Sequence, residues 1–170
     1  MNQIISDLKE LLIRHPSAKG HQLTVNELPA DVIAEINGTD FLQILLNLTI
    51  NALQSTSHPH RVTVSCALHP QPIDVEKFPD GPKQRMINRD GFANRTPILT
   101  VTVEDDGPGI PSTVLARMFE QRFTTKPPEH GTGLGLSIVK RLVKEADGAI
   151  LIQSSPGEGA KFTVCLQTHG

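Results

Sequence analysis

Residues 41–55, FLQILLNLTINALQS, place apolar side chains on nearly every side of a helical turn. A helix of that kind is buried, so the chain has to supply other elements that cover it. Thr39 or Asp40 is positioned to cap its start. The cover is legible on both sides of it. Residues 2–14 repeat Ile4, Ile5, Leu8, Leu11 and Leu12 at helical steps until His15-Pro16 stops them. Residues 134–146 form a second strong helical pattern, ended by Asp147-Gly148, and residues 111–119 a short one. Strand alternation marks Val62, Val64, Cys66 and Leu68 against Thr63, Ser65 and Ala67, and Leu99, Val101 and Val103 against Thr100 and Thr102. Residues 22–36 read as extended, broken at Leu28-Pro29, and residues 149–153 and 161–167 as strands joined by Ser154-Ser155-Pro156-Gly157-Glu158-Gly159. Helices and strands are mixed rather than strictly alternating, which predicts an α+β fold, a two-layer sandwich. Residues 69–97 hold five of the thirteen prolines and little periodicity. A connection that long between neighbouring strands is unusual, and it is expected to be an inserted loop that either contacts a partner or, as its prolines favour, is disordered.

At 170 residues with 38% apolar side chains, the chain suits one domain with a real core and is not generally disordered. Lys+Arg 16 against Asp+Glu 18 gives a net charge of −2, and without a basic tract no nucleic-acid partner is expected. The apolar runs fall well short of the ~20 residues needed to cross a bilayer. Asp7 and Glu10 replace the basic head of a signal peptide, and Cys66 and Cys165 make no disulfide framework, so a cytoplasmic location is expected.

Three short patterns bear on chemistry. Asn47 and Asn51 lie four apart, so their amides share one face of the buried helix. They are either satisfied core amides or hard, neutral oxygen ligands suited to Mg²⁺. Asp105-Asp106-Gly107-Pro108-Gly109-Ile110 follows an apolar strand directly. It is either an ordinary turn or a carboxylate that accepts a hydrogen bond from a ligand amine, with glycines that allow close approach. Gly131-Thr132-Gly133-Leu134-Gly135-Leu136 opens a helix, as a hinge or as a set of backbone N–H groups that hold phosphate. Its spacing fits neither the mononucleotide P-loop nor the dinucleotide fingerprint.

Taken with Phe119-Glu120-Gln121-Arg122-Phe123-Thr124-Thr125-Lys126, these patterns resemble, in order and spacing, the N box, first glycine box, F box and second glycine box of one family. That family is the ATP-binding catalytic domain of bacterial two-component sensor histidine kinases. The resemblance spans residues 22–167 and implies a sandwich of the Bergerat type, a mixed sheet with helices on one face. It implies ATP and Mg²⁺ as cofactors. Asn51 would hold Mg²⁺, Asn47 would support the nucleotide, and Asp105, not Asp106, would read the adenine amine. Gly107, Gly109 and Ile110 would line the adenine pocket. Gly131, Thr132, Gly133, Leu134, Gly135 and Leu136 would surround the phosphates. Phe119, Thr125 and Lys126 would contribute from a lid over residues 111–130, with Asn47 and Lys126 closest to the chemistry. A Glu general base stands at the place of Asn47 in the sister ATPases, so Asn47 implies a histidine kinase rather than a hydrolase.

The F box departs from the family pattern: Arg122 stands where an aromatic is usual and Gln121 where proline is common. None of the seven histidines is followed by an acidic residue and then Asn-Pro or Thr-Pro, the setting of the family's phosphoacceptor. The resemblance therefore implies a kinase fragment. Residues 1–20 would be the connection from a separate dimerisation hairpin, and residues 21–170 the catalytic domain. The implied partners are that histidine-bearing hairpin of a homodimeric parent, cytoplasmic or membrane-anchored, and a response regulator receiver domain; the fragment itself would be monomeric. The competing functions are a nucleotide-binding regulatory module without catalysis and a small ATPase.

Overall fold

The computed structural model describes residues 1–28, 32–127 and 133–169. Its helices are α1 (Asn2–Ile13), α2 (Gly38–Leu53), α3 (Ser112–Leu115) and α4 (Gly135–Glu145). Its strands are β1 (Gln22–Val25), β2 (Arg61–His69), β3 (Gln84–Ile87), β4 (Ile98–Asp105), β5 (Ala149–Ser154) and β6 (Ala160–Gln167). They form a single six-stranded sheet in the order β1-β2-β4-β6-β5-β3. β1 runs parallel to β2, joined by α2 as the crossover, and every other pairing is antiparallel.

The apolar helix sits at the centre. Phe41, Ile44, Leu45, Leu48 and Leu53 of α2 are 2% exposed or less. Burial of such side chains is worth about 1.5–3 kcal/mol each, which makes α2 the main contributor among the helices. They meet Val62 and Val64 of β2, Leu99, Val101 and Val103 of β4, and Val139, Leu142 and Val143 of α4 in one cluster. The cap of α2 is Asn37, whose Oδ1 accepts from Thr39 N at 2.8 Å. Thr39 and Asp40, the caps expected from sequence, fall instead in the first turn because the helix starts at Gly38. There Asp40 complements the helix dipole.

The resemblance assigns residues 1–20 to a connection. In the structure Ile5, Leu8 and Leu12 of α1 are at most 1% exposed and belong to the same core as α2. The apolar stripe of α1 is thus covered by this chain, while Leu11 and Ile13 remain exposed.

Residues 69–97 also differ from the expected loop. They carry β3, which extends the sheet by pairing with β5, Arg85 opposite Ile152 and Ile87 opposite Ile150. Met86 and Phe92 join Ile98, Ala149 and Cys165, with Ile73 and Val75 alongside, in a second apolar cluster. Side chains alternate across a strand, so this cluster lies on the sheet face opposite the helices. The prolines hid an edge strand of only four residues, too short for a visible alternation.

Candidate functional site

α2 turns Asn47 and Asn51 out of the core and into a cleft of ≈ 700 Å³. The cleft is bounded by α2, the end of β4, the turn at residues 106–111, α3 with residues 117–127, and the first turn of α4. Asn47 Nδ2 donates back to Gln43 O at 3.0 Å, and its Oδ1 faces Gly135, where a Cβ would come within 3.1 Å. One turn further, Asn51 Oδ1 accepts from Lys126 Nζ at 3.1 Å. Gln54 Oε1 accepts from the same ammonium at 2.7 Å. Two neutral amide oxygens on one helix face therefore hold a cation. Burial lowers the Lys126 amine below its ordinary range.

Asp105 ends β4 opposite Val62 of β2 and is 6% exposed. Its Oδ1 accepts from Gly107 N at 2.9 Å. Burial raises its carboxyl above the usual range, and the Gly107 N–H and nearby His60 offset this only in part. Asp106 turns elsewhere: its Oδ1 accepts from Arg61 N at 2.6 Å, tying the turn to β2.

The turn after Asp105 is laced to the β5–β6 connection. Ile110 N donates to Ser154 Oγ at 2.9 Å, Ser154 Oγ donates to Gly159 O at 2.6 Å, and Gly157 N donates to Pro108 O at 2.7 Å. Only glycine fits at position 109, where φ is +74° and a Cβ would sit 2.0 Å from Ser155 O. Across the cleft, Arg122 adopts a left-handed φ of 63° and its N–H donates to Gly133 O at 2.8 Å. That backbone contact ties residues 117–127 to the glycines that open α4. The Arg117 guanidinium stacks 4.8 Å from the ring centre of Phe123, which lines the cleft.

A cleft with a buried carboxylate, two helix amides and a glycine-rich helix start is what the sequence patterns imply, and residues 36–170 match the family described as "Histidine kinase-, DNA gyrase B-, and HSP90-like ATPase". The chain belongs to that family.

Among its curated relatives is the sensor histidine kinase ZraS of Klebsiella oxytoca, 28% identical over 170 residues, which is 100% of this chain and 31% of ZraS. Among solved structures, the catalytic domain of histidine kinase ThkA superposes with a TM-score of 0.67 at 24% identity, covering 97% of this chain and 92% of that one. Full-length ShkA in complex with AMPPNP gives a TM-score of 0.64 at 28% identity, covering 99% of this chain and 30% of ShkA. The chain spans about a third or less of the first curated relatives it matches.

The cleft gathers Asn47, Asn51, Asp105, Gly109, Ile110, Thr125, Lys126, Gly133, Gly135 and Leu136 from the expected set. Gly107 lies behind Asp105, next to Ser55 and His60, and is not on the cleft wall. Phe119 is 3% exposed in the main core, and Met118, its neighbour, lines the cleft in its place. Leu134 is exposed and outside the cleft lining. Gly131 and Thr132 lie outside the described residues. Sequence reasoning missed Gln54, although it stands three residues after Asn51 on the same helical face. It also missed the apolar wall of Val114, Met118 and Phe123, whose spacing of four and five residues was available. Among the described residues no helix is long and apolar enough to cross a membrane, and no group of three or more His, Cys, Asp or Glu could hold a metal alone.

Proposed function

We propose that this chain is the ATP-binding catalytic domain of a sensor histidine kinase, passing the γ-phosphate of ATP to a histidine on a separate helical hairpin of the parent kinase. The observation that carries the reading is the placement of a buried carboxylate, Asp105, in the same cleft as a cation held by Asn51. Asp105 accepts a hydrogen bond from the exocyclic amine of adenine, and Gly109 lets the base approach the backbone. Backbone N–H groups at the start of α4 face the phosphates.

Mg²⁺ fits the donor set. Asn51 presents a neutral amide oxygen, and the Lys126 ammonium already occupies it as a cation of the protein's own. A lone amide suits an ion that keeps its waters and is shared with phosphates rather than caged by protein. When bound, Mg²⁺ neutralises phosphate charge. Lys126 leaves Asn51 and Gln54 and turns its ammonium to the terminal phosphates, adding fixed positive charge where the transition state is most negative.

Asn47 favours transfer over hydrolysis. A carboxamide takes no proton, and the titratable side chains lining the described cleft are Asp105 and Lys126 alone. Asp105 is engaged with Gly107, and Lys126 is a cation. Water attack needs a base; an imidazole nitrogen attacks with its own lone pair, forming the N–P bond as the bond to the bridging oxygen breaks and ADP leaves. The parent hairpin and a receiver domain are the protein partners of this reading, with the parent acting as a homodimer.

The test is incubation with radiolabelled ATP, Mg²⁺ and the parent's hairpin domain. Acid-labile label on the hairpin histidine is expected. Steady phosphate release without hairpin would point to an ATPase, and AMPPNP binding without any transfer to a regulatory module.

A further inference from the structure

We propose that Arg85, on the inserted segment and outside the cleft, is a positioning residue that fixes the α3 wall of the nucleotide cleft. β3 pairs with β5 so that Arg85 stands beside Ile152 on the helix-bearing face of the sheet. From there Arg85 Nη1 donates to Leu115 O at 3.2 Å and to Ala116 O at 2.5 Å. These are the carbonyls of the last residue and the C-cap of a four-residue helix that has no basic residue in its own last turn. A short helix cannot satisfy its C-terminal carbonyls internally, and a guanidinium there supplies donors to their open lone pairs.

The platform that presents Arg85 is built firmly. Met86 N donates to Asp80 Oδ1 at 2.8 Å, and the Met86 side chain is in the second apolar cluster. Arg89 Nη1 donates to Val75 O at 2.6 Å and Arg89 Nη2 to Phe78 O, folding residues 75–89 on themselves. Asn88 Nδ2 donates to Gly148 O at 2.6 Å, joining the segment to the start of β5. On the other side of the clamp, α3 leads straight to the cleft: Val114 and Met118 line it, and Phe123 and Lys126 follow within the same segment. The inserted segment thus reaches the α3 wall through the Arg85 guanidinium, and lines no part of the cleft itself. One arm of the test rests on the reading that the cleft takes ATP; the other does not.

The experiment compares wild type, Arg85→Ala and Arg85→Lys by AMPPNP titration with Mg²⁺ and by amide hydrogen exchange without nucleotide. For Arg85→Ala, exchange at residues 112–127 rises about tenfold while amides of β4 and β6 keep their protection, and AMPPNP binds about tenfold more weakly. Arg85→Lys recovers most of both, because an ammonium reaches the same carbonyls. Unchanged exchange at residues 112–127 in Arg85→Ala overturns the proposal whatever the nucleotide result. A rise spread evenly over the sheet with a lower unfolding midpoint also overturns it, as a merely structural role would give that pattern. So does local loosening with wild-type AMPPNP affinity. A wild type that does not bind AMPPNP refutes the ATP reading instead, and the exchange result with its lysine rescue then decides the clamp by itself.

Discussion

Asp105→Asn separates what the carboxylate does for the ligand from what it does for the fold. Asparagine is nearly isosteric and its Oδ1 still accepts from Gly107 N, now 2.9 Å away, so the turn keeps that bond. What changes is the second oxygen, which becomes an NH₂ donor facing the donor amine of adenine. Loss of a hydrogen bond to a charged acceptor is worth about 1.5–3 kcal/mol, or about a tenfold to 150-fold rise in Kd. Stability should move the other way. Burial raises the folded carboxyl above its ordinary value of 3.8, so between that value and the raised one the folded state binds more protons than the unfolded state. The contribution of this group to stability therefore falls as pH rises through that window, and above it the ionised side chain is a standing cost. Removing that cost should raise the unfolding midpoint at neutral pH. Below pH 3.8, where the carboxyl is protonated in both states, the variant and the wild type should converge. Calorimetric titration with AMPPNP and thermal unfolding at acidic and neutral pH measure both sides. Unchanged affinity would refute the adenine contact, and a large fall in midpoint at neutral pH would show the charge to be structural.

Asn51→Ala should leave AMPPNP affinity near the wild-type value without Mg²⁺ and abolish the gain that Mg²⁺ brings; titrations with and without the metal would show a retained gain if another residue is the ligand. Gly109→Ala puts a Cβ 2.0 Å from Ser155 O at a positive φ. A cost of about 2 kcal/mol or more, about 4–8 °C in midpoint, should accompany loss of nucleotide binding, and an unchanged midpoint would contradict the packing described here. Burial pushes the Cys66 thiol up to about 11 and that of Cys165 up to about 12. Both should therefore resist a thiol reagent at mildly alkaline pH in the folded protein and react together in denaturant; fast native labelling of either would refute its burial.

The layers and most of the cleft were legible because they rest on periodicity and on short patterns with few physical readings. A helix apolar on nearly every side had to be buried, its two amides took a ligand reading only once the other patterns stood beside them in order, and the strands on either side announced themselves by alternation. The exceptions have separate causes. Phe119 and Phe123 are equivalent in sequence, yet Phe119 belongs to the core and Phe123 to the cleft, because which of two aromatics faces inward depends on how the segment leaves α3. β3 escaped notice because an edge strand of four residues among prolines carries almost no local signal and is specified by its partner β5. The role of Gln54 appears only when Lys126, 72 residues later, folds onto it.

The strand order has a consequence for how the sheet is held together. β6, the last strand in sequence, lies between β4 and β5 in the middle of the sheet. Without β6, the strand order leaves β1, β2 and β4 able to pair only among themselves and β3 only with β5, with no hydrogen-bonded strand between the two groups. Each group then presents an unpaired inner edge, the kind of surface that adds strands from other chains. β6, eight residues long, pairs on both sides and so covers both inner edges at once, which makes it the element on which the continuity of the sheet depends.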